Sequence, residues 1–325
     1  MTVALPRGLF TPPPADFNDL APAMPESPTT TCYADQASQC RAGVVENVRV
    51  AEDTYRLRLD CPEIAREILP GQFVMLRWTD GSDPLLARPL AMYDVVSDAS
   101  GNDVALDVVY LVVGRLTGML STCQPGQSLD IWGPLGNGFA PQPAGRGRPP
   151  RHLIVVAGGI GQTPFLSLAR ERLGLRQYGS PRRHAPQVER VTFCYGARNE
   201  RWLACVDDFR AAGADVRLAT DDGSTGHHGF VTDLLNEVLD AETDADGAHV
   251  VSCGPEPMMA AVAAITTERG VSCEVSLETP MACGVGICFS CVARVRDDHA
   301  AAGWDYRRTC VDGPVFDAAR VVFER

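Results

Sequence analysis

Four cysteines near the end of the chain carry the most specific chemistry. They read Cys283-x4-Cys288-x2-Cys291, with Cys310 further on, and Gly284 and Gly286 fall inside the first gap. This is the plant-type [2Fe–2S] ligand run, three thiolates on one short loop and a distant fourth. The loop must turn tightly and approach the centre closely, and glycine permits both. Backbone N–H groups turned inward can then donate to the sulfurs and tune the potential. A structural zinc site is the alternative, but zinc prefers paired C-x2–4-C knuckles. Only one x2 pair is present here.

A second group of residues suits nucleotide chemistry. The turn from Ala157 to Pro164 places Gly158, Gly159 and Gly161 between an apolar run and a helical stretch. Such glycines let N–H groups approach a pyrophosphate at a helix N-terminus, although the pattern is not G-x-G-x-x-G. Arg198, Asp221, Asp222 and Cys253 stand where strand-like runs end, and strand ends face the ligand crevice in an open parallel sheet. Asp221 or Asp222 would favour NAD by accepting from ribose hydroxyls, whereas Arg198 would favour a 2′-phosphate. Cys253 could lie beside a nicotinamide or pack as a buried thiol. His227-His228, between glycines, reads as a solvated loop. No Ser-His-Asp order and no H-E-x-x-H helix supports hydrolase chemistry.

These groups need three supports. Residues 1–41, rich in Pro, Thr, Ser and Ala, read as a flexible extension. Cys32 and Cys40 lie in it, and two thiols alone do not make a site. From Ala42 the run GVVENVRVAEDTYRLRLDC alternates as a half-buried hairpin does. GQFVMLRW, LAMYDVV, VALDVVYLVV and SLDIWGPL follow between turn residues, predicting an antiparallel β-barrel over 42–140. The loop Gly133–Phe139 should face the next domain, and 141–150 is a Pro/Gly linker. From Arg151 the rhythm is β-α-β. HLIVVA is apolar throughout, as a strand covered on both faces must be, and the alternation predicts a parallel α/β nucleotide-binding sheet over 151–270. A small cluster domain over 275–325 completes an α+β multidomain chain.

Composition narrows the roles. The chain has 325 residues, 45% of them hydrophobic, and a net charge of −12. Acidity argues against nucleic-acid binding. No run of eighteen apolar residues predicts a membrane span. Twelve cysteines without an export signal suggest a reducing cytoplasm rather than disulfides.

A nicotinamide gives two electrons at once and a [2Fe–2S] cluster takes one. Flavin converts between them, so a flavin is the missing part. At this point a resemblance becomes specific. Ser276-Leu277-Glu278 leads into Met281-Ala282-Cys283-Gly284-Val285-Gly286-Ile287-Cys288, and the tail reads Cys310-Val311-Asp312-Gly313-Pro314-Val315-Phe316. Over about 42–325 the chain resembles the dihydroorotate dehydrogenase B electron-transfer subunits, within the ferredoxin–NADP reductase superfamily. The resemblance implies one FAD on the barrel, NAD(H) on the sheet and one cluster held by Cys283, Cys288, Cys291 and Cys310. It implies flavin contacts at Arg88, Pro89, Leu90 and Ala91, at Val109, Tyr110 and Leu111, and at Leu116 and Thr117. It further implies a separate FMN-containing catalytic subunit that oxidises dihydroorotate to orotate in pyrimidine biosynthesis, in a two-plus-two heterotetramer. Electrons would pass through cluster and FAD to NAD. Ala91 stands where the family has Ser, and Leu116 where it has Gly. Two alternatives remain open: an NAD(P)H-dependent reductase subunit serving a hydrogenase, sulfide or ferredoxin-linked partner, and a non-enzymatic cluster or zinc-binding regulator.

Overall fold

The computed structural model describes residues 33–79, 81, 83–143 and 148–323. Most of the expected N-terminal extension, Cys32 included, and part of the Pro/Gly linker lie outside the described residues.

Six strands close the barrel: β1 (Ser38–Ala51), β2 (Thr54–Asp60), β3 (Phe73–Trp78), β4 (Arg88–Ser97), β5 (Asp103–Leu111) and β6 (Ser128–Leu135). Their order round the barrel is β1-β2-β5-β4-β3-β6, and every pairing is antiparallel. Alternation sets the inner face: Leu57 and Leu59 of β2 and Leu106 and Val108 of β5 are buried in one cluster. Two short helices, α1 (Pro62–Glu67) and α2 (Arg115–Leu120), interrupt the strands. β1 begins before the composition changes. Cys40 therefore sits within it, paired opposite Ile131 of β6.

The second body is a seven-stranded sheet. Its strands are β7 (His152–Gly158), β8 (Arg190–Ala197), β9 (Asp215–Thr220), β10 (His227–His228), β11 (Ala248–Cys253), β12 (Ser272–Ser276) and, from the far end of the chain, β15 (Val315–Asp317). The order is β10-β9-β8-β7-β11-β12-β15. All pair in parallel except β15, which lies antiparallel on β12. Helices α3 (Phe165–Arg172), α4 (Val206–Ala211), α5 (Val231–Asp240) and α6 (Glu256–Glu268) provide the crossovers. The apolar run of β7 explains its central place: Leu153, Val155 and Ala157 bury into one layer, Ile154 and Val156 into the other. Each fully buried aliphatic side chain contributes about 1.5–3 kcal/mol.

The C-terminal cluster domain is not free of the second sheet but joined to it. β12 runs to Ser276, β15 returns to the same sheet, and between them β13 (Val292–Arg296) and β14 (Trp304–Arg308) form a two-stranded ribbon. His227-His228 is likewise not a free loop but the sheet's short edge strand beside β9.

Barrel and sheet are locked by an arginine-rich strap over 173–189. Tyr178 is fully buried against the barrel core. Its hydroxyl donates to Asp94 of β4 at 2.7 Å, and Arg170 of α3 binds the same carboxylate. Arg176 and Arg182 donate to Asp103 of β5 at 2.6 and 2.5 Å, with Ser97 donating at 2.7 Å. Burial pushes the Asp103 carboxyl up, but Arg182, Ser97 and Arg176 outweigh it and hold it below the usual range.

Asp103→Asn should therefore cost about 1–3 kcal/mol in a denaturant titration at pH 7, since two cations lose their carboxylate. A depressed carboxylate contributes stability above its unfolded pKa of about 3.9 and loses it as pH falls through the folded value. The gap between wild type and variant should accordingly close below about pH 4.

Candidate redox site

A cavity of about 850 Å³ opens where the C-terminal ends of the parallel strands face the barrel. Thr54 and Leu111–Val113 line it from the barrel. Gly158–Ile160, Tyr195–Arg198, Asp221, Phe230–Thr232, Gly254, Pro255 and Glu278 line it from the sheet. Its volume suits an extended small-molecule ligand, and its place is the crevice that parallel topology creates.

The Gly-rich turn divides by function. Gly158 and Gly159 line the cavity, and Gly159 has φ +54 with nothing within 4 Å of an added Cβ. Gly161 lies behind the wall: a Cβ there would meet the Cys253 carbonyl oxygen at 2.3 Å. It allows the turn to press onto β11 rather than onto a ligand. The two neighbouring aspartates also part. Asp221 lines the cavity. Asp222 instead accepts the Ser224 N–H at 2.9 Å in its own turn, and this hydrogen bonding holds its carboxyl low. Arg198 lines the cavity as well, so the cation and the carboxylate that favour different nucleotides share one wall.

Cys253 is buried and does not line the cavity. Burial first, then the nearby Glu278 charge, pushes its thiol well above the ordinary value despite a hydrogen bond from Ser276. Glu278 is the group that reaches the cavity. It is exposed there, and the surrounding protein raises its carboxyl pKa. Glu278, Phe230 and Thr54 escaped sequence reasoning as site residues. Phe230 had one available signal, an aromatic ring in a glycine-flanked loop, and it is 71% exposed.

The residues expected to touch flavin lie along the barrel edge. Arg88 opens β4 and is exposed, with Nη1 donating only to the Leu86 and Ala87 carbonyls among the described contacts. Pro89, Leu90 and Ala91 follow it, partly exposed. Leu111 reaches the cavity, whereas the side chains of Val109 and Tyr110 are buried. Tyr110 donates to Asn47 at 3.2 Å and stacks on Tyr55. Leu116 is core. Thr117 Oγ1 accepts the Val113 and Gly114 N–H groups at 3.0 and 3.1 Å, fixing the turn into α2. Among the described residues Arg88 has no carboxylate partner, and with exposed Leu85 and Leu86 just before it in sequence it fits a ligand that is both anionic and flat.

The four thiols come as two pairs. Register Val292↔Arg308 in the ribbon places Cys291 beside the β14 terminus, and Cys291 Sγ lies 3.2 Å from Cys310 Sγ. Cys283 lies close enough to Cys288 to help hold its thiol down. Among the described residues no three His, Cys, Asp or Glu side chains gather closely enough for one metal ion. Two pairs suit two irons, two thiolates to each, better than one tetrahedral zinc. Cys291 and Cys310 are buried, and burial, with Cys291 adding, pushes the Cys310 thiol up to about 12. Cys288 is exposed, and the Ser290 hydroxyl and N–H, with Cys283, bring it down to about 6.

The loop is pressed onto the barrel. Trp132 of β6 donates its indole N–H to the Cys283 carbonyl at 3.1 Å. A Cβ at Gly284 would meet Met75 Cγ at 2.6 Å, and one at Gly286 would meet Val311 at 2.6 Å, both at positive φ. Asn137 joins the barrel's exit loop to the tail, donating to Val315 O at 2.8 Å and accepting from Val315 N at 3.1 Å. The segment expected as the loop Gly133–Phe139 is the end of β6 and the turn after it, and it meets the cluster segment as well as α3, where Phe139 packs on Phe165.

Residues 41–139, 155–264 and 278–322 match three families in turn: an oxidoreductase FAD-binding domain, an oxidoreductase NAD-binding domain, and the iron–sulfur cluster binding domain of dihydroorotate dehydrogenase B. A dihydroorotate dehydrogenase B electron-transfer subunit from Desulforamulus reducens is 36% identical over 284 residues, spanning 87% of this chain and 98% of the relative. The chain belongs to the dihydroorotate dehydrogenase B electron-transfer subunit family. The family member from Shouchella clausii is 35% identical over the same share of each chain. Among solved structures, one described as an NADH-dependent reduced ferredoxin–NADP oxidoreductase shows a TM-score of 0.68 at 27% identity, covering 87% of this chain and 90% of that one. The family's three modules account for FAD, NAD(H) and a [2Fe–2S] cluster as cofactors, and the chain is an oxidoreductase component.

Two glycine variants separate wall from scaffold. Gly161→Ala should destabilise the chain by about 1–3 kcal/mol through overpacking on β11. Gly159→Ala has room, so it should cost only about 1 kcal/mol, yet weaken NADH binding by narrowing the cavity. Thermal unfolding and NADH titration on both proteins check this split.

Proposed function

We propose that this chain is the electron-transfer subunit of a dihydroorotate dehydrogenase, working with a separate FMN-containing catalytic subunit in a two-plus-two assembly. The observation that carries this is the meeting, in one folded unit, of the nucleotide crevice and two thiol pairs, with both thiol-bearing segments fastened to the barrel. When bound, NAD(H) supplies two-electron chemistry, the cluster one-electron chemistry, and flavin the exchange between them.

The chain's own residues place and shield these groups. Cys283 with Cys288 and Cys291 with Cys310 would hold the cluster. Gly158 and Gly159 would admit a pyrophosphate, and Asp221 would accept from a ribose. Arg88 would meet an anionic cofactor group on the barrel edge, with Pro89 to Ala91, Leu111 and the α2 turn around it. Cys253 would support the nicotinamide wall from behind, and Glu278 would face it from the cavity. Ile287 and Phe289 flank Cys288 and are 80% and 63% exposed, a surface suited to the catalytic partner. Barrel 42–140, sheet 151–270 and cluster segment 275–325 serve as working divisions, with strands β12 and β15 shared between the last two. Cytoplasmic residence is supported by eleven free cysteines among the described residues, and no described helix is long and apolar enough to cross a membrane.

A second partner, ferredoxin-linked, is favoured by the 27% identical solved structure. Co-expression with a dihydroorotate dehydrogenase B catalytic subunit separates the two. The complex should contain flavin, iron and acid-labile sulfide, bleach with NADH, and reduce NAD+ with dihydroorotate only when both subunits are present. Orotate formation by the isolated chain, or a colourless zinc protein, would refute the proposal.

A further inference from the structure

Arg308 stands where the two thiol pairs meet. It ends β14, two residues before Cys310. Its Nη1 donates to the Gly286 carbonyl at 3.2 Å, on the loop between Cys283 and Cys288. Its guanidinium lies 5.3 Å from the centre of the Phe289 ring, next to Cys288. On the other side, Nε faces Asp312 Oδ2 at 3.4 Å, and that oxygen also accepts the Arg308 backbone N–H at 2.8 Å. The Arg308 carbonyl accepts from Val311, Asp312 and Gly313 at 3.1, 2.7 and 3.3 Å, winding the tail around Cys310. One side chain therefore joins the loop of the first pair to the tail of the second.

Phe289 adds an independent sign. Its φ of +55 is in the left-handed region, unusual for a residue with a side chain. Such strain persists only where surroundings impose it, and the Arg308 guanidinium stacks on this ring. The arginine side chain is about one third exposed, so its charge is screened by water on one side only.

We propose that Arg308 is a positioning residue for the cluster and raises its reduction potential. This rests on the assignment of the four cysteines to a [2Fe–2S] centre. Reduction adds one electron and one negative charge to the four-thiolate centre, and no bond is made or broken; NADH supplies electrons in pairs and leaves as NAD+. A fixed positive charge beside the thiolates favours the more negative state. Asp312 opposes it in part.

The test is a redox titration of the cluster-loaded protein followed by electron paramagnetic resonance, for Arg308→Gln, Arg308→Lys and Asp312→Asn. Arg308→Gln should lower the midpoint by about tenfold in the one-electron equilibrium, ~59 mV. Arg308→Lys should keep most of the potential but lose the forked contact, broadening the signal. Asp312→Asn should move the midpoint upward. Should Arg308→Gln fail to retain iron, the upward shift of Asp312→Asn beside the largely retained midpoint of Arg308→Lys carries the test. Full iron and sulfide with unmoved midpoints would overturn the proposal. A wild-type protein lacking labile sulfide and a reduced-state signal would instead remove the cluster assignment itself.

Discussion

The contact on which the structure turns is the close approach of the cysteine loop to the barrel. Gly284 has no room for a methyl group beside Met75 and Leu135, and Trp132 fastens the neighbouring carbonyl. Electron exchange requires that distances be held fixed. A loop resting on a closed barrel inherits the barrel's rigidity, whereas a loop on its own linker would not. The same approach dictates the glycines, the indole on β6 and the return of the tail to Asn137.

Rigidity between barrel and sheet comes from charge. Two carboxylates on neighbouring barrel strands, Asp94 and Asp103, are buried and would be costly alone. The strap brings Arg176, Arg182 and the Tyr178 hydroxyl to them, and α3 brings Arg170. Buried pairs of this kind contribute more to a unique arrangement than to net stability. Here the arrangement they specify is the seating of α3 and the strap on strands β4 and β5.

Much of the fold could be read from residue order. The barrel strands announce themselves by alternation and turn residues, and β7 by a run apolar on every position. The strap could not be read, because Arg, Pro and Gln without a period acquire meaning only once Asp94 and Asp103 are placed. β15 was hidden because three residues, Val315–Asp317, are too few to show a pattern. Cys40 looked like part of the extension because polar alternation at Ser38–Arg41 resembles loop composition. At the site, adjacent Asp221 and Asp222 were indistinguishable until backbone register turned one inward and tied the other to Ser224. Glu278 and Thr54 come from distant elements, and only the folded crevice brings them together.

The antiparallel strand β15 has a consequence beyond the crevice. It covers the open flank of β12 with residues that follow the cysteine loop and the ribbon. An uncovered flank of a sheet is a template for unwanted pairing with other chains. During synthesis that flank stays bare until the cysteine loop and the β13–β14 ribbon have been made, so β12 depends on a segment beyond the cluster ligands to be shielded from other chains.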